Sequence, residues 1–284
     1  MTRIAIVTDS SSDLTLDICK ENNIAMVPLT VHFGSESYID RVEITSAQFF
    51  EKLVASSVMP KTSQPSPADF EKVYRQILED HDYVFSVHIS SSMSGTCQSA
   101  MIAAEAVNPG SIEVIDGRAV SLVTGLMVLS AAEGVRAGES VEEIRNRIHF
   151  VMDNFGLYWT LDTLEYLRKN GRIGRATAFI GGLLSIKPIM SITDGEISGV
   201  ERVRGVSRVF PRIIELMEAD IAPGSPIDVV VLHAADEVQG CQWMNEVKSR
   251  FNCRRLWLTE CGPIVGTHAG PGTMAVAWRP SIIK

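Results

Sequence analysis

The sequence has few of the features that mark an exported, membrane-spanning or disulfide-stabilised protein. Its 284 residues include five cysteines, an odd number, with no Cys-x-x-Cys pair. The longest weakly polar stretch, Ala119 to Ala132, is too short for a membrane span and contains Ser, Thr and Gly. The apolar run at the N-terminus meets Asp9 too early for a signal peptide. We therefore expect a cytoplasmic protein with reduced thiols, no integral membrane segment and a buried helix over 119–132.

Positive charge and cofactor motifs are also scarce. Lys and Arg number 26 against 34 Asp and Glu, and the formal net charge of -8 argues against nucleic-acid binding. No Gly-x-x-x-x-Gly-Lys-Ser/Thr motif occurs, and Gly270 to Ala275 matches the dinucleotide pattern only formally, because Pro271 interrupts it and a strand-like segment follows. The six histidines are scattered without ligand spacing. We expect no cofactor and no metal.

Short apolar runs followed by polar loops predict buried parallel strands in the first half of the chain. These runs are Ile4 to Val7, Tyr83 to Ile89 and Ile112 to Ile115. Ser66-Pro67-Ala68-Asp69 predicts the start of a helix that extends toward Leu78, and Ser140-Val141-Glu142-Glu143 is a capping-box pattern. The alternation is typical of a three-layer α/β/α domain with a parallel sheet, which we place at residues 1–152.

The pattern changes after residue 152. Asp194-Gly195 lies between two strand-like runs and predicts a hairpin, which requires antiparallel pairing. Asp162-Thr163-Leu164-Glu165 predicts the N-terminus of another helix. Further strands are predicted at 227–232, 254–259 and 274–278, and a helix at 236–247. We expect a two-layer α/β domain with a mixed sheet at 153–284, and a ligand site in the crevice between the two domains.

Three loops rich in hydroxyl residues, Gly and Pro are the strongest functional signal. They are Thr62 to Pro67, Ser90 to Thr96 and Gly262 to Thr273. Such loops offer neutral hydrogen-bond donors to an anion, and the apolar segments beside them predict a cavity with apolar walls. This combination suits an amphiphile with one polar end. Candidate wall residues, which are equally consistent with ordinary core positions, are Met93, Met101, Met127 and Phe179.

Ser94 is a candidate anion-binding residue because it follows a strand and precedes an apolar helix. We expect Ser94 or a neighbour to be the helix N-cap, with free backbone N–H groups beside it. A cap that serves only its own helix is the more common case. Thr62 carries little information alone, since most loop threonines bond to nearby backbone.

His268 lies among glycines, where a flexible backbone lets an imidazole approach a ligand or bond to a carbonyl group of its own loop. Ser94 and His268 could also form a nucleophile and a base, with Asp9 or Asp116 orienting the imidazole. That arrangement would make the protein an acyl ester hydrolase or transferase. The Gly-x-Ser-x-Gly elbow typical of many such enzymes is missing around Ser94.

A basic cluster, Arg168 to Arg175, stands out in this acidic chain. Four further arginines that could extend it are Arg202, Arg204, Arg208 and Arg212. Such a run is usually a solvated surface. Its glycines and tight spacing favour an arginine that reaches a carboxylate or phosphate at the domain crevice.

At these residues the chain resembles the DegV family over nearly its whole length. The matching elements, in the family's order, are Ile6 to Ser11, Thr62 to Ser66, Ser94 to Thr96, Leu164 to Lys169 with Gly171 to Ile173, and Gly266 to Gly272. The family is known for fatty-acid-binding proteins, some of which present the lipid to the ATP-binding subunit of a bacterial fatty acid kinase. The resemblance implies a non-enzymatic carrier of a long-chain fatty acid such as palmitate, with a kinase subunit as a possible partner.

The resemblance also implies the roles of four residues. By motif, Thr62 and Ser94 would hydrogen-bond the fatty acid carboxylate, and His268 and Arg172 would complete or support this polar end. The acyl chain would enter the apolar interior, where each buried methylene contributes ~0.8 kcal/mol. No catalytic residue is expected. Arg172 and the arginines at 202–212 would face either an acyl-phosphate head or an acidic face of the kinase.

Overall fold

The part of the chain that the structure describes, residues 2–179 and 186–282 of a computed structural model, consists of strands and helices in alternation. The strands are β1 (Ile4–Asp9), β2 (Ile24–Val27), β3 (Thr30–Phe33), β4 (Glu36–Ile39), β5 (Lys61–Ser63), β6 (Tyr83–His88), β7 (Ile112–Asp116), β8 (Gly156–Thr160), β9 (Ile186–Thr193), β10 (Glu196–Arg204), β11 (Ile227–His233), β12 (Cys253–Glu260) and β13 (Met274–Pro280). The helices are α1 (Leu16–Glu21), α2 (Ser46–Ala55), α3 (Pro67–Ile77), α4 (Thr96–Val107), α5 (Leu122–Arg136), α6 (Val141–Asn154), α7 (Glu165–Lys169), α8 (Val209–Asp220), α9 (Glu237–Arg250) and α10 (Pro263–Ala269).

A parallel sheet in the order β2-β1-β6-β7 forms the centre of the first half of the chain. Alternate residues of β1 face opposite sides: Ala5 and Val7 pack with residues of α3 and α4, whereas Ile4 and Ile6 belong to the cluster that includes α5 and α6. Helices therefore cover both faces, which confirms the predicted three-layer α/β/α arrangement.

The second large sheet has the order β10-β9-β8-β13-β11-β12 and is mixed, as predicted, because β11 and β12 are parallel while the other pairs are antiparallel. On one face α8 and α9 bury an apolar cluster. The other face contributes Trp159, Leu232 and Ala275 to the cluster that includes α5. The sheet thus lies against the α5 layer of the first half.

The predicted hairpin joins β9 to β10. Asp194 and Gly195 have φ of 51° and 81°, the left-handed conformation that a two-residue turn of this kind requires. Ser90 donates a hydrogen bond to the carbonyl oxygen of Gly195 (2.8 Å), and a Cβ atom at Gly195 would lie 2.6 Å from the Ser90 hydroxyl. A glycine therefore lets the turn dock on the serine loop of the parallel-sheet region.

The helix starts predicted at Ser66 and Ser140 are confirmed as capping boxes, with Asp69 and Glu143 completing them. A helix also follows the start predicted at 162–165, since α7 begins at Glu165, but the predicted cap is wrong because Leu164 is the N-cap residue and no side chain caps the helix. Asp162 instead forms an ion pair with Lys187 (2.7 Å). The predicted buried helix is α5, and no helix in residues 2–179 and 186–282 is long and apolar enough to cross a membrane.

A small antiparallel sheet, β4-β3-β5, was not predicted. It places Thr62 in a strand opposite Val31 rather than in a loop. β5 is only three residues long, which is too short to show the alternation of apolar and polar residues that identifies a strand. Its extended conformation comes from pairing with β3.

The segment from Gly262 to Thr273 is likewise not a simple loop, because α10 occupies residues 263–269. Pro263 begins the helix, a position that proline favours. Gly266 lies in its middle, where a Cβ atom would come within 2.8 Å of the rings of Phe49 and Phe50. The glycine that suggested a loop instead lets α10 pack closely on α2.

The division of the chain into two domains at residue 152 stays a prediction; β1 to β7 precede this residue and β8 to β13 follow it.

Candidate functional site

A cavity of about 370 Å³ lies between the parallel-sheet region and the mixed sheet. Its polar side chains come from β5, from the serine loop after β6, from α10, and from Gln64, Ser121, Arg172 and Thr273, while the mixed sheet contributes apolar side chains. Apolar residues of the lining include Ile89, Trp159, Ile192, Leu232, Ile264 and Ala275. Of the four predicted wall residues only Met93 lines the cavity: Met127 is fully buried elsewhere, Met101 is exposed, and Phe179 packs against Gly199.

All four predicted site residues line this cavity. The Thr62 Oγ1 and His268 Nε2 atoms are 2.9 Å apart, although 206 positions separate the two residues. Ser94 Oγ is 2.8 Å from Thr96 Oγ1. Arg172 donates to the carbonyl oxygens of Met93 (3.3 Å) and Asn170 (2.7 Å), which places its guanidinium beside the serine loop. These four residues therefore lie close together in a cavity whose remaining lining is mainly apolar.

The N-terminus of α4 lies where the sequence predicted it, with Gly95, the neighbour of Ser94, as the N-cap residue. Ser94 Oγ accepts a hydrogen bond from the Thr96 N–H (3.3 Å). The side-chain amide of Gln64 links the first two hydroxyl-rich segments, because its Oε1 accepts from the Gly95 N–H (3.1 Å) and its Nε2 donates to Ser99 (3.3 Å). Gln64 also lines the cavity, and the sequence reasoning missed it. Its position beside Thr62 in the hydroxyl-rich run was the available signal.

His268 is held as a neutral imidazole. Burial, together with the nearby charge of Arg172, lowers the pKa of His268 from 6.5 to about 4. Its Nε2 meets Thr62, and its Nδ1 has no hydrogen-bond partner among the described residues. At neutral pH the polar side of the cavity thus presents hydroxyl groups, a neutral imidazole and the single cation of Arg172.

Comparison with known proteins agrees with this geometry. The model of the DegV family, described as a family of uncharacterised proteins, matches residues 3–281. The chain belongs to the DegV family. A DegV domain-containing protein of Deinococcus radiodurans is 39% identical over 277 residues, which cover 98% of each chain.

Two solved DegV structures are similar along their full length. A structure described as fatty acid binding of a DegV family protein from Thermus thermophilus is 36% identical, with a TM-score of 0.94 over 98% of this chain and 100% of that one. DegV of Bacillus subtilis, described as a fatty acid binding protein, is 30% identical, with a TM-score of 0.90 over 99% and 100% of the two chains. The resemblance inferred from the motifs is therefore confirmed.

The hydrolase arrangement considered for Ser94 and His268 is not assembled in this DegV chain. Ser94 bonds to Thr96 and His268 to Thr62. Of the two aspartates proposed to orient the imidazole, Asp9 pairs with His88 (2.9 Å), and Asp116 accepts hydrogen bonds from Ser91 and from the Arg118 N–H.

A chain of hydrogen bonds with the residue types of a catalytic triad does occur, but in the core. Tyr74 donates to Ser86 (2.7 Å), Ser86 lies 2.7 Å from His88 Nε2, and His88 Nδ1 lies 2.9 Å from Asp9. Although burial opposes ionisation, the hydrogen bond from His88 holds the pKa of Asp9 below its ordinary value. All four side chains are 0% exposed, so no substrate reaches them. These hydrogen bonds therefore stabilise the core.

The arginines of the predicted basic cluster contact different partners rather than forming one patch. Arg175 pairs with Asp194 (3.0 Å) and Glu196 (2.9 Å), while Arg212 pairs with Glu201 (3.0 Å). Arg202 stacks over the ring of Phe179. Within the described residues, only Arg172 of the predicted arginines lines the cavity.

The low pKa of His268 predicts that its imidazole resonances stay constant between pH 8 and pH 5 in a histidine NMR titration. Arg172→Gln should raise the pKa of His268 without restoring 6.5, because burial is the larger cause. The pKa of His268 is near 6.5 in the unfolded chain and about 4 in the folded protein, so the unfolded chain takes up this proton first as the pH falls. The contribution of His268 to the free energy of unfolding is therefore present above pH 6.5 and is lost as the pH falls toward 4. Arg175→Gln is the matched control and should leave the titration unchanged. A His268 midpoint near 6.5 would refute the expectation.

Proposed function

We propose that this DegV protein binds a long-chain fatty acid in the cavity and presents its carboxylate to a separate ATP-dependent fatty acid kinase. The observation that supports the proposal is the composition of the cavity lining: Thr62, Ser94, His268 and Arg172 lie on one side, and most of the remaining lining is apolar. An amphiphile with one anionic end matches that composition. The two solved relatives that are described as fatty acid binding support the same ligand class.

The energetics of the cavity are consistent with this ligand. A volume of about 370 Å³ falls in the range of ligand pockets, ~300–1,000 Å³. Each methylene that leaves water contributes ~0.8 kcal/mol, so the tail supplies most of the affinity. A buried carboxylate requires hydrogen bonds to offset its desolvation, and the hydroxyls of Thr62 and Ser94 with the Arg172 guanidinium are the donors we assign to it.

Presentation to a second protein is supported by the exposure of the polar side. Arg172 is exposed, and Thr62 and Ser94 are only partly buried, so a carboxylate held there would lie near the surface. ATP would then come from the kinase subunit, and this chain would contribute the bound and oriented acyl group.

The test is mass spectrometry of lipid extracted from freshly purified protein, followed by incubation with a bacterial fatty acid kinase subunit, ATP and hydroxylamine. We expect one fatty acid per chain and, in the second step, an acyl hydroxamate formed from the trapped acyl phosphate. Protein that is empty and takes up no added palmitate would refute the binding role. Protein that carries fatty acid but yields no hydroxamate with the kinase subunit would refute presentation alone.

A further inference from the structure

A second cleft, of about 350 Å³, lies between α5 and the edge strand β12. No residue that lines it also lines the proposed acyl cavity. Ile18 of α1, Leu126 and Leu129 of α5, and Trp257 of β12 form its apolar side. The indole of Trp257 is half-buried, so part of this apolar surface faces the open cleft.

The other side of the cleft carries an excess of positive charge. Three arginines line it, Arg136, Arg255 and Arg279, against two carboxylates, Glu133 and Asp228. Arg279 pairs with Asp228 (2.9 Å) and with Glu133 (3.1 Å), and Arg255 shares Glu133. Glu133 also lies 3.9 Å from Arg147, which is outside the lining, and the partner that the described residues show for Arg136 is the amide oxygen of Asn22. The lining therefore has one more guanidinium group than carboxylates.

Polar groups of the cleft also retain hydrogen-bonding capacity. The Arg279 side chain is 2% exposed, yet its Nε has no hydrogen-bond partner among residues 2–179 and 186–282. A buried N–H without a partner costs roughly 1–3 kcal/mol, and an acceptor oxygen near it would remove that cost. Arg136 and Arg255 are exposed at the rim, where an incoming anion meets them first.

We propose that this cleft binds a small organic anion, a phosphate or carboxylate attached to a short apolar body. Arg136 and Arg255 hold the anionic group at the rim, and the apolar body lies against Trp257 and the leucines of α5. The cleft volume lies within the range of ligand pockets, which begins near ~300 Å³, so the cleft has room for a small molecule of this kind. The site is distinct from the acyl cavity and does not depend on what the acyl cavity binds.

The test uses ¹⁹F NMR of protein labelled with 5-fluorotryptophan and titrated with octyl phosphate, octanoate or octanol. Trp257→Phe and Trp159→Phe assign the two informative resonances, one for each cavity. Samples with and without added palmitate are compared, so that occupancy of the acyl cavity is followed separately at Trp159. We expect a saturable shift at Trp257 with either anion, with and without palmitate, and none with octanol.

Arg255→Gln should weaken octyl phosphate binding at least tenfold. Arg254→Gln removes the same charge at the adjacent residue, which is not part of the cleft lining and donates to the carbonyl oxygen of Ile282 (2.8 Å), and should change the affinity less than twofold. Arg136→Gln provides a second variant with the same expected loss, at an exposed position where folding is not at risk. The proposal is overturned if Trp257 does not respond to the anions, if octanol binds equally well, or if the Arg254 and Arg255 variants behave alike.

Discussion

A Thr62→Ala/Ser94→Ala variant is expected to bind palmitate on the order of 10²- to 10⁴-fold more weakly than the parent protein. Hydrogen bonds to a charged group contribute roughly 1.5–3 kcal/mol each, so loss of two costs about 3–6 kcal/mol. Each 1.4 kcal/mol is about a factor of ten in the dissociation constant. Isothermal titration calorimetry with palmitate measures the change directly.

Two controls separate a loss of the carboxylate contacts from a general disturbance of the site. Ser92→Ala removes an exposed hydroxyl from the same loop and should leave the affinity unchanged. Thr62→Ser keeps a hydroxyl at the critical position and should retain most of the affinity. If the double alanine variant loses less than fivefold, the carboxylate is held elsewhere and the assignment of Thr62 and Ser94 is wrong.

Arg279→Ala is expected to lower the free energy of unfolding by about 3–5 kcal/mol, because it breaks a buried ion pair by removing one partner. Arg279 and Asp228 are 2% and 1% exposed, and their side chains are 2.9 Å apart. Without the guanidinium, the Asp228 carboxylate keeps only the hydroxyl of Ser281 (2.7 Å) as a hydrogen-bond donor that the structure shows. Urea denaturation at pH 7 measures the loss.

The neighbouring surface provides the control for that measurement. Arg254→Ala removes an exposed arginine of the same strand region and should alter stability by no more than about 0.5 kcal/mol. Adding Asp228→Asn to Arg279→Ala should recover part of the lost stability, because the buried charge is then removed as well. A loss below 1 kcal/mol for Arg279→Ala would mean that water reaches Asp228.

Much of the secondary structure was predictable because its signals act over a few residues. The side chains of Ser66 and Ser140 each accept a hydrogen bond from the backbone N–H three residues later, so four consecutive residues are enough to predict the start of the helix. Asp194-Gly195 specifies a turn through its own backbone preferences. The apolar runs of β1, β6 and β7 predict strands that are buried on both faces of a parallel sheet.

The misassigned segments are those whose conformation depends on distant partners. β5 is extended because it pairs with β3, and Gly266 is helical because α10 packs on the rings of α2. Gln64 takes part at the start of α4, where its amide oxygen accepts from the N–H of Gly95, 31 positions away. No local preference of these residues indicates such contacts.

The sequence alone predicts strands β1, β6, β7 and β9 to β13, helices α3 to α6 and α9, the α/β class and the motifs of the DegV family, but not β2, β8, α2 or α8. The tertiary structure was needed to show that Thr62 meets His268, that Asp9 meets His88 in the core, and that Arg279 lies buried between Asp228 and Glu133. The physical reason is the distance along the sequence over which each kind of interaction acts. Caps, turns and periodicity express interactions between close neighbours in the chain, whereas cavities and buried charges arise from the packing of elements far apart in sequence.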